Sequence, residues 1–384
     1  MDHDKLKDKI QSFADEQQIL GWLELLGDDF DLSFDNNWLI IFASESGHAG
    51  VVKLLLKASV KDRRVDPGVD NNDAICRASE NGHVEVVRLL LKASIKDRRV
   101  DPGVYNNYAI RWASRDDHVE VVRLLLLASA NDKRVDPSDD NNGAICYAAE
   151  HGCVEVVQLL LADKRVDPTD SNNYAIREAS ANGHDKVVEL LLKDGRADPG
   201  VCNNFSIRSA AKNGHTKVVA LLLAEANGVD PGVHTNYAIR KASHHGHIGV
   251  MRLLLADSRC DPSAGNDAAI CIASKRGHIG VMRLLLADSR CDPSAGNDAA
   301  ICIASKRGNV EIVRLLLKDK RVDPRADDNY PVRLASINGH AEVVAALLKD
   351  PRVDPRAFHG QARYKASKNG HDDVVALLDA WKPL

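Results

Sequence analysis

An Asp-Pro pair recurs along most of this chain, at Asp66, Asp101, Asp136, Asp167, Asp198, Asp230, Asp261, Asp292 and Asp323, each Asp followed nine residues later by Ile or Val. The step between successive Asp residues is 35, 35, 31, 31, 32, 31, 31 and 31. A period of that size marks a unit too small to bury its own apolar face, which becomes stable only by stacking on copies of itself. The fold this demands is an all-α solenoid of helix-turn-helix repeats joined by short turns. It overrides the two or three domains that 384 residues would ordinarily suggest.

Composition agrees with thin helical layers. Apolar residues make up 44% of the chain but aromatics only 4%, so the apolar mass is Ala, Val, Ile and Leu. The formal charge of -4 offers no bulk attraction to nucleic acid or to an anionic membrane, and neither is expected as a partner. Met1 to Gln11 is charged and lacks a secretory apolar stretch, and no apolar run is long enough to span a bilayer. The expectation is an intracellular, cytoplasmic monomer. None of the eight cysteines forms a C-x-x-C pair, and equivalent positions in neighbouring layers are too far apart for a disulfide, so all eight read as free thiols.

Residues Asp66 to Val100 serve as the type unit. A polar stretch through Asn72 leads into a helix from Asp73 to about Asn81, a Gly82-His83 turn, and a second helix from Val84 to about Ala93. The Asn72 column is Asn or Asp in ten of eleven units and reads as a helix N-cap. Ala78, three residues after Ile75, recurs in every unit and marks a close helix approach. Val86, Val87, Leu89, Leu90 and Leu91 give the second helix an apolar face so wide that both sides need covering. Gly82 recurs as a left-handed helix stop, and Asp117, which breaks that column, predicts local strain.

The segment DNNDAICRASENGHVEVVRLLLKASIKDRRVDP and its copies resemble the ankyrin repeat, most plainly in GHVEVVRLLL. The resemblance covers eleven units over residues 31–384, the last a degenerate C-terminal cap, after an N-terminal helical cap at 1–30, as one continuous solenoid. The family's T-P-L-H is replaced by forms such as Tyr174-Ala175-Ile176-Arg177, so its Thr-His hydrogen bond is not expected. The N-x-A-I-R and R-V-D-P variant is similar to arrays of large DNA viruses and protists. The resemblance implies a non-catalytic scaffold that holds a protein partner in a concave groove lined by the first helices and turn tips. An adaptor that recruits its partner to a ubiquitin ligase or other host machinery is the alternative, for which no docking segment follows Arg363.

Columns that vary should carry the contacts. Aromatics and Arg dominate binding hot spots, and Tyr105, Tyr108, Arg111, Trp112, Tyr147, Tyr174, Arg177, Phe205, Arg208, Tyr237 and Arg240 crowd repeats three to seven, which makes them the expected partner surface. The Arg column before each Asp-Pro, as at Arg99, is expected to pair with turn aspartates. His244, His245 and His247 have no carboxylate or Cys at ligand spacing, and neither metal nor cofactor is expected. No nucleotide-binding or hydrolytic motif is present, so the chain is not expected to be an enzyme. Residues 246–276 and 277–307 are identical, a tandem duplication that reads as a spacer. Repeats one to three carry four extra residues before the turn, which offer a basic rim at Lys61, Arg63, Lys96 and Arg98.

Overall fold

The computed structural model describes residues 3–13, 15–27, 30–225 and 228–382. Among these residues there are twenty-four α-helices and no strand, and within each of two compact units consecutive helices pair and stack on the next pair. The helices fall into two compact units, residues 1–179 with 184–198, and residues 180–183 with 199–384.

Each layer is held by the columns that repeat. In the type unit Ala74, Ile75 and Ala78 on the first helix, and Val86, Val87 and Leu90 on the second, are fully buried. A buried Leu, Ile or Val contributes about 1.5–3 kcal/mol. Ala at position 78 lets the first helices of successive units approach, and the same Ala is buried in every unit. The second helices Ala49–Lys61, Val84–Ser94 and Val119–Ser129 pack in series, which covers both flanks of the wide apolar face.

The Asn72 column does not form an N-cap. Asp70, Asn71 and Asn72 have φ of 50, 55 and 64° and make a left-handed turn inside the helix assigned as Val69–Glu80, whose right-handed part begins at Asp73. Equivalent triplets, such as Tyr105 to Asn107 and Asp140 to Asn142, precede the other first helices. Asn and Asp tolerate that region better than other non-glycine residues. The side chain then reaches across to the next unit: Asn72 Oδ1 accepts the Asp101 N–H at 2.7 Å, and Asn107 accepts that of Asp136 at 2.8 Å. Asp267 and Asp298 do the same for Asp292 and Asp323. The column is a clamp between neighbouring Asp-Pro turns.

Two further ladders run beside it. Arg99 grips Asp97 of its own turn with Nε at 3.1 Å and Nη2 at 2.7 Å, and donates through Nη1 to Val65 O of the preceding unit at 3.0 Å. Those bonds hold the Asp97 carboxyl below its usual pKa. Arg134, Arg196, Arg290 and Arg321 repeat the arrangement. The expected pairing is therefore with an aspartate two residues upstream, combined with carbonyls of the previous layer. At the opposite turn, His83 Nε2 lies 2.7 Å from Glu45 O, and His118, His184, His215, His247, His278, His340 and His371 make the equivalent bond.

The turn glycine is required twice over. Gly82 has φ +73°, and a Cβ there would lie 2.6 Å from the His118 ring. Asp117 adopts φ 59° in the same place, and the unit after it presents Cys153 where His would stand. The strain expected at Asp117 is thus matched by a smaller neighbour.

At the N-terminus the helices His3–Gln11 and Glu16–Leu26 cover the first unit, and Glu16 Oε1 accepts the Val51 N–H at 3.1 Å. Ile19 and Leu23, one turn apart, face inward, while Leu25 is 87% exposed. At the C-terminal end Arg363 replaces the buried Ile and pairs with Asp379, with Nη2 to Oδ2 at 2.9 Å.

Candidate partner-binding surface

The first unit brings Tyr108, Trp112 and Tyr147 together. Tyr108 and Tyr147 occupy the columns two residues before and two after the buried Ile, and Trp112 lies one turn beyond Tyr108. The Tyr108 and Trp112 rings are 5.2 Å apart, and Trp112 stacks on Tyr147 at 6.1 Å with an interplanar angle of 22°. The Arg115 guanidinium sits 3.7 Å from the Trp112 ring centroid and is held by Asp116 at 2.7 and 2.8 Å. All three rings are half-buried.

Two of the Tyr hydroxyls are anchored by a Glu of the preceding repeat. Tyr108 donates to Glu80 Oε2 at 3.0 Å and Tyr174 to Glu150 Oε2 at 2.9 Å. Burial, and next the bond to the carboxylate, push both phenols up to about 12. Partial burial also raises the Glu178 carboxyl. Tyr105 is the first residue of a left-handed turn, is 55% exposed, and accepts a hydrogen bond from Asn71 Nδ2 at 3.0 Å.

The arginines of the expected surface do other work. Arg111 Nε and Nη2 donate to Asn106 O and Tyr105 O, both at 2.8 Å, and Nη1 pairs with Asp140 of the next unit. Arg177 donates to Asn172 O at 2.9 Å and Ser171 O at 3.3 Å. These guanidiniums close the left-handed turn, whose carbonyls point the same way and need a donor. Gly143 makes room for Arg111, since a Cβ there would fall 2.8 Å from its Cδ. The arginines of the expected set are thus bonded within their own turns.

In the second unit Arg208 and Arg240 have the same role, on Asn203 and Cys202 carbonyls and on Thr235 and His234 carbonyls. Tyr237 lies between Arg208 and Lys241, whose cationic groups are 5.3 and 5.2 Å from its ring. Phe205 is half-buried one repeat earlier.

Sequence reasoning missed Glu80, Glu150 and Arg115. A signal was there: Tyr108 follows Glu80 by 28 residues and Tyr174 follows Glu150 by 24, the difference being the four-residue insertion.

His244 and His245 lie 4.7 Å apart, and His244 Nε2 accepts from Arg276 Nη2 at 2.7 Å. Partial burial, then nearby charged groups, hold both imidazoles below the usual value. Among the described residues no group of three or more His, Cys, Asp or Glu is arranged to hold a metal ion, and no helix is long and apolar enough to cross a membrane. All eight cysteines are free.

A family model described as ankyrin repeats in three copies matches in overlapping segments, 16–101, 39–136, 110–203, 176–266, 207–297, 269–359 and 301–380. No curated protein matches the chain. A crystal structure of an ankyrin repeat domain from Acinetobacter baumannii AYE is similar, at 22% identity and TM-score 0.38, over 45% of this chain and 96% of its own. With the matched segments running through nearly all of its length, this chain belongs to the ankyrin repeat family.

Proposed function

We propose that the chain is a non-catalytic scaffold that binds a protein partner across the first-helix surface of repeats three to five, centred on Tyr108, Trp112 and Tyr147. Ankyrin repeats are generally protein–protein interaction modules, and the family is typically non-catalytic. The observation that carries the site is the stacked aromatic run with Arg115 on its flank. The core of the units is built mainly from Ile, Ala, Val and Leu, so packing alone does not call for these rings. The Glu80 bond to Tyr108 and the Arg115 guanidinium on Trp112 limit the rotamer freedom of those two rings, which lowers the entropy cost of presenting them. A half-open aromatic patch of this kind supplies large contact area at low ordering cost, as interface hot spots do.

The test is capture of partners from the native cell by crosslinking and mass spectrometry. Replacing Tyr108, Trp112, Tyr147 and Tyr174 by Ala should abolish capture of the main partner at unchanged helical circular dichroism. Undiminished capture refutes the assignment. Tyr108→Phe, which keeps the ring and loses only the Glu80 bond, should retain most of it.

A further inference from the structure

The Gly-His turns change sign along the sequence. In the first unit the two residues that close the first helix are Glu45-Ser46, Glu80-Asn81, Arg115-Asp116 and Glu150-His151, and the cations there are matched: Arg77 with Asp73 and Glu80, Arg115 with Asp116. In the second unit four consecutive turns, between the uncharged Ala181-Asn182 and Ile337-Asn338, hold Lys212-Asn213, His244-His245, Lys275-Arg276 and Lys306-Arg307. Lys212, Lys275, Arg276, Lys306 and Arg307 are exposed, and none of the five forms an ion pair among the described residues. No carboxylate occupies either position in these four consecutive turns.

The turns are locked in register. His247 binds Lys212 O, His278 binds His244 O and His340 binds Lys306 O, each at 3.0 Å. The charges thus stand in a row at one helix-packing distance per layer, about 10 Å.

Beside this row, the second-helix starts carry an apolar edge. Ile248 and Ile279 are 42% and 37% exposed. The residue after each is Gly249 or Gly280, where Glu85, Glu120, Glu155 and Glu311 stand in other units. A Cβ at Gly280 would meet Ile248 Cδ1 at 2.4 Å, so the glycine lets Ile248 lie across the next helix start. It also removes the carboxylate that would oppose an acidic ligand. Neither glycine has a left-handed backbone, so conformation does not require it.

We propose that this edge of residues 212–311 is a second docking surface, and that its occupant is an extended acidic polypeptide segment with an apolar side chain at every third residue. Three residues of polyproline II backbone make one turn and span about 9 Å, close to one layer, so the apolar side chains return to the same face and meet Ile248 and Ile279 while carboxylates meet the cations between them. Four turns accommodate about ten residues. The duplicated segment then doubles the Lys-Arg pair and the Ile-Gly pair together, which makes it part of the binding edge as well as added length. A nucleic acid fits the charge but leaves the apolar edge unused.

The experiment is fluorescence anisotropy of the full chain with a labelled peptide of four Glu-Glu-Leu triplets. Binding should weaken at least tenfold in the K275E/R276E/K306E/R307E protein, and at least threefold in G249E/G280E, which keeps every cation. The analogue with Gln in place of Glu should bind at least tenfold more weakly. The Tyr108/Trp112/Tyr147 alanine protein should bind the peptide normally, which separates this surface from the aromatic one. Absence of peptide binding overturns the proposal, as does binding that survives the four charge reversals. Tighter binding of single-stranded DNA or of phosphatidylserine vesicles than of the peptide also overturns it.

Discussion

Asp117 and Cys153 can be tested as a matched pair. At Gly47, Gly82, Gly152, Gly183, Gly214, Gly246, Gly308 and Gly339 an added Cβ would lie 2.5–2.8 Å from the His ring of the following unit. Comfortable heavy-atom separations are about 3.5–4.0 Å, so the overlap is about 1 Å. Asp117 has that Cβ, and Cys153 replaces the ring, donating from Sγ to Arg115 O at 3.4 Å. Cys153→His in the natural background should therefore cost about 1–3 kcal/mol as an overpacked contact. Asp117→Gly alone should be close to neutral, since relief of the left-handed strain, about 1 kcal/mol, is offset by the greater freedom of glycine in the unfolded chain. In the double variant the imidazole has room and a carbonyl acceptor, Arg115 O, for a net gain of about 1 kcal/mol. The cycle predicts a coupling of about 2–4 kcal/mol. Urea denaturation of the four proteins by circular dichroism measures it. If Cys153→His shifts stability by the same amount in the natural background and in the Asp117→Gly background, the steric argument is wrong.

Two other outcomes follow from buried polar groups. Burial raises the Asp267 and Asp298 carboxyls above their ordinary value, so folding holds protons there that the unfolded chain releases, and stability falls as pH rises from the unfolded value through the folded one. Asn at both positions, the residue used in most other units, should stabilise the protein at pH 7 by about 1 kcal/mol per site, with the gain shrinking toward pH 4 in paired urea titrations. Among the thiols, burial pushes Cys76, Cys146, Cys153, Cys260, Cys291 and Cys302 up to about 12, while Cys202 is exposed. A chromogenic disulfide reagent at pH 8 should titrate Cys202 first in the native protein, with those six reacting only on unfolding.

The helix pairs were legible because period, Ala78 and the Val-Val-Leu-Leu-Leu face each encode one packing contact. The left-handed turn was not, because Asn serves both as an N-cap and as a left-handed residue, and only the bond from Asn72 to the Asp101 N–H separates the two. The aromatics of the candidate site could be picked from their columns. Arg111, Arg177, Arg208 and Arg240 could not be assigned, since an Arg in a variable surface looks the same whether it faces a partner or fills a nest of its own carbonyls. The basic edge was hidden for a different reason. Lys275-Arg276 gains meaning only together with the contact between Ile248 and the Gly280 position, which residues 32 apart in the sequence supply.

The three ladders have a consequence for how such a chain changes length. Most units carry the acceptor for their successor's Asp N–H, the Arg and His that reach back to the predecessor, and the glycine that receives the next ring. A copied unit is compatible with both neighbours from the moment it arises, as residues 246–276 and 277–307 illustrate, with Asp267 bonded to the Asp292 N–H and His278 to His244 O. Elongation needs no second mutation to repair a seam. The exception is the boundary between Asp117 and Cys153, where a deletion joining Asp117 to a His-bearing unit would create a clash at once. Selection can lengthen or shorten this protein one layer at a time almost anywhere except across that seam.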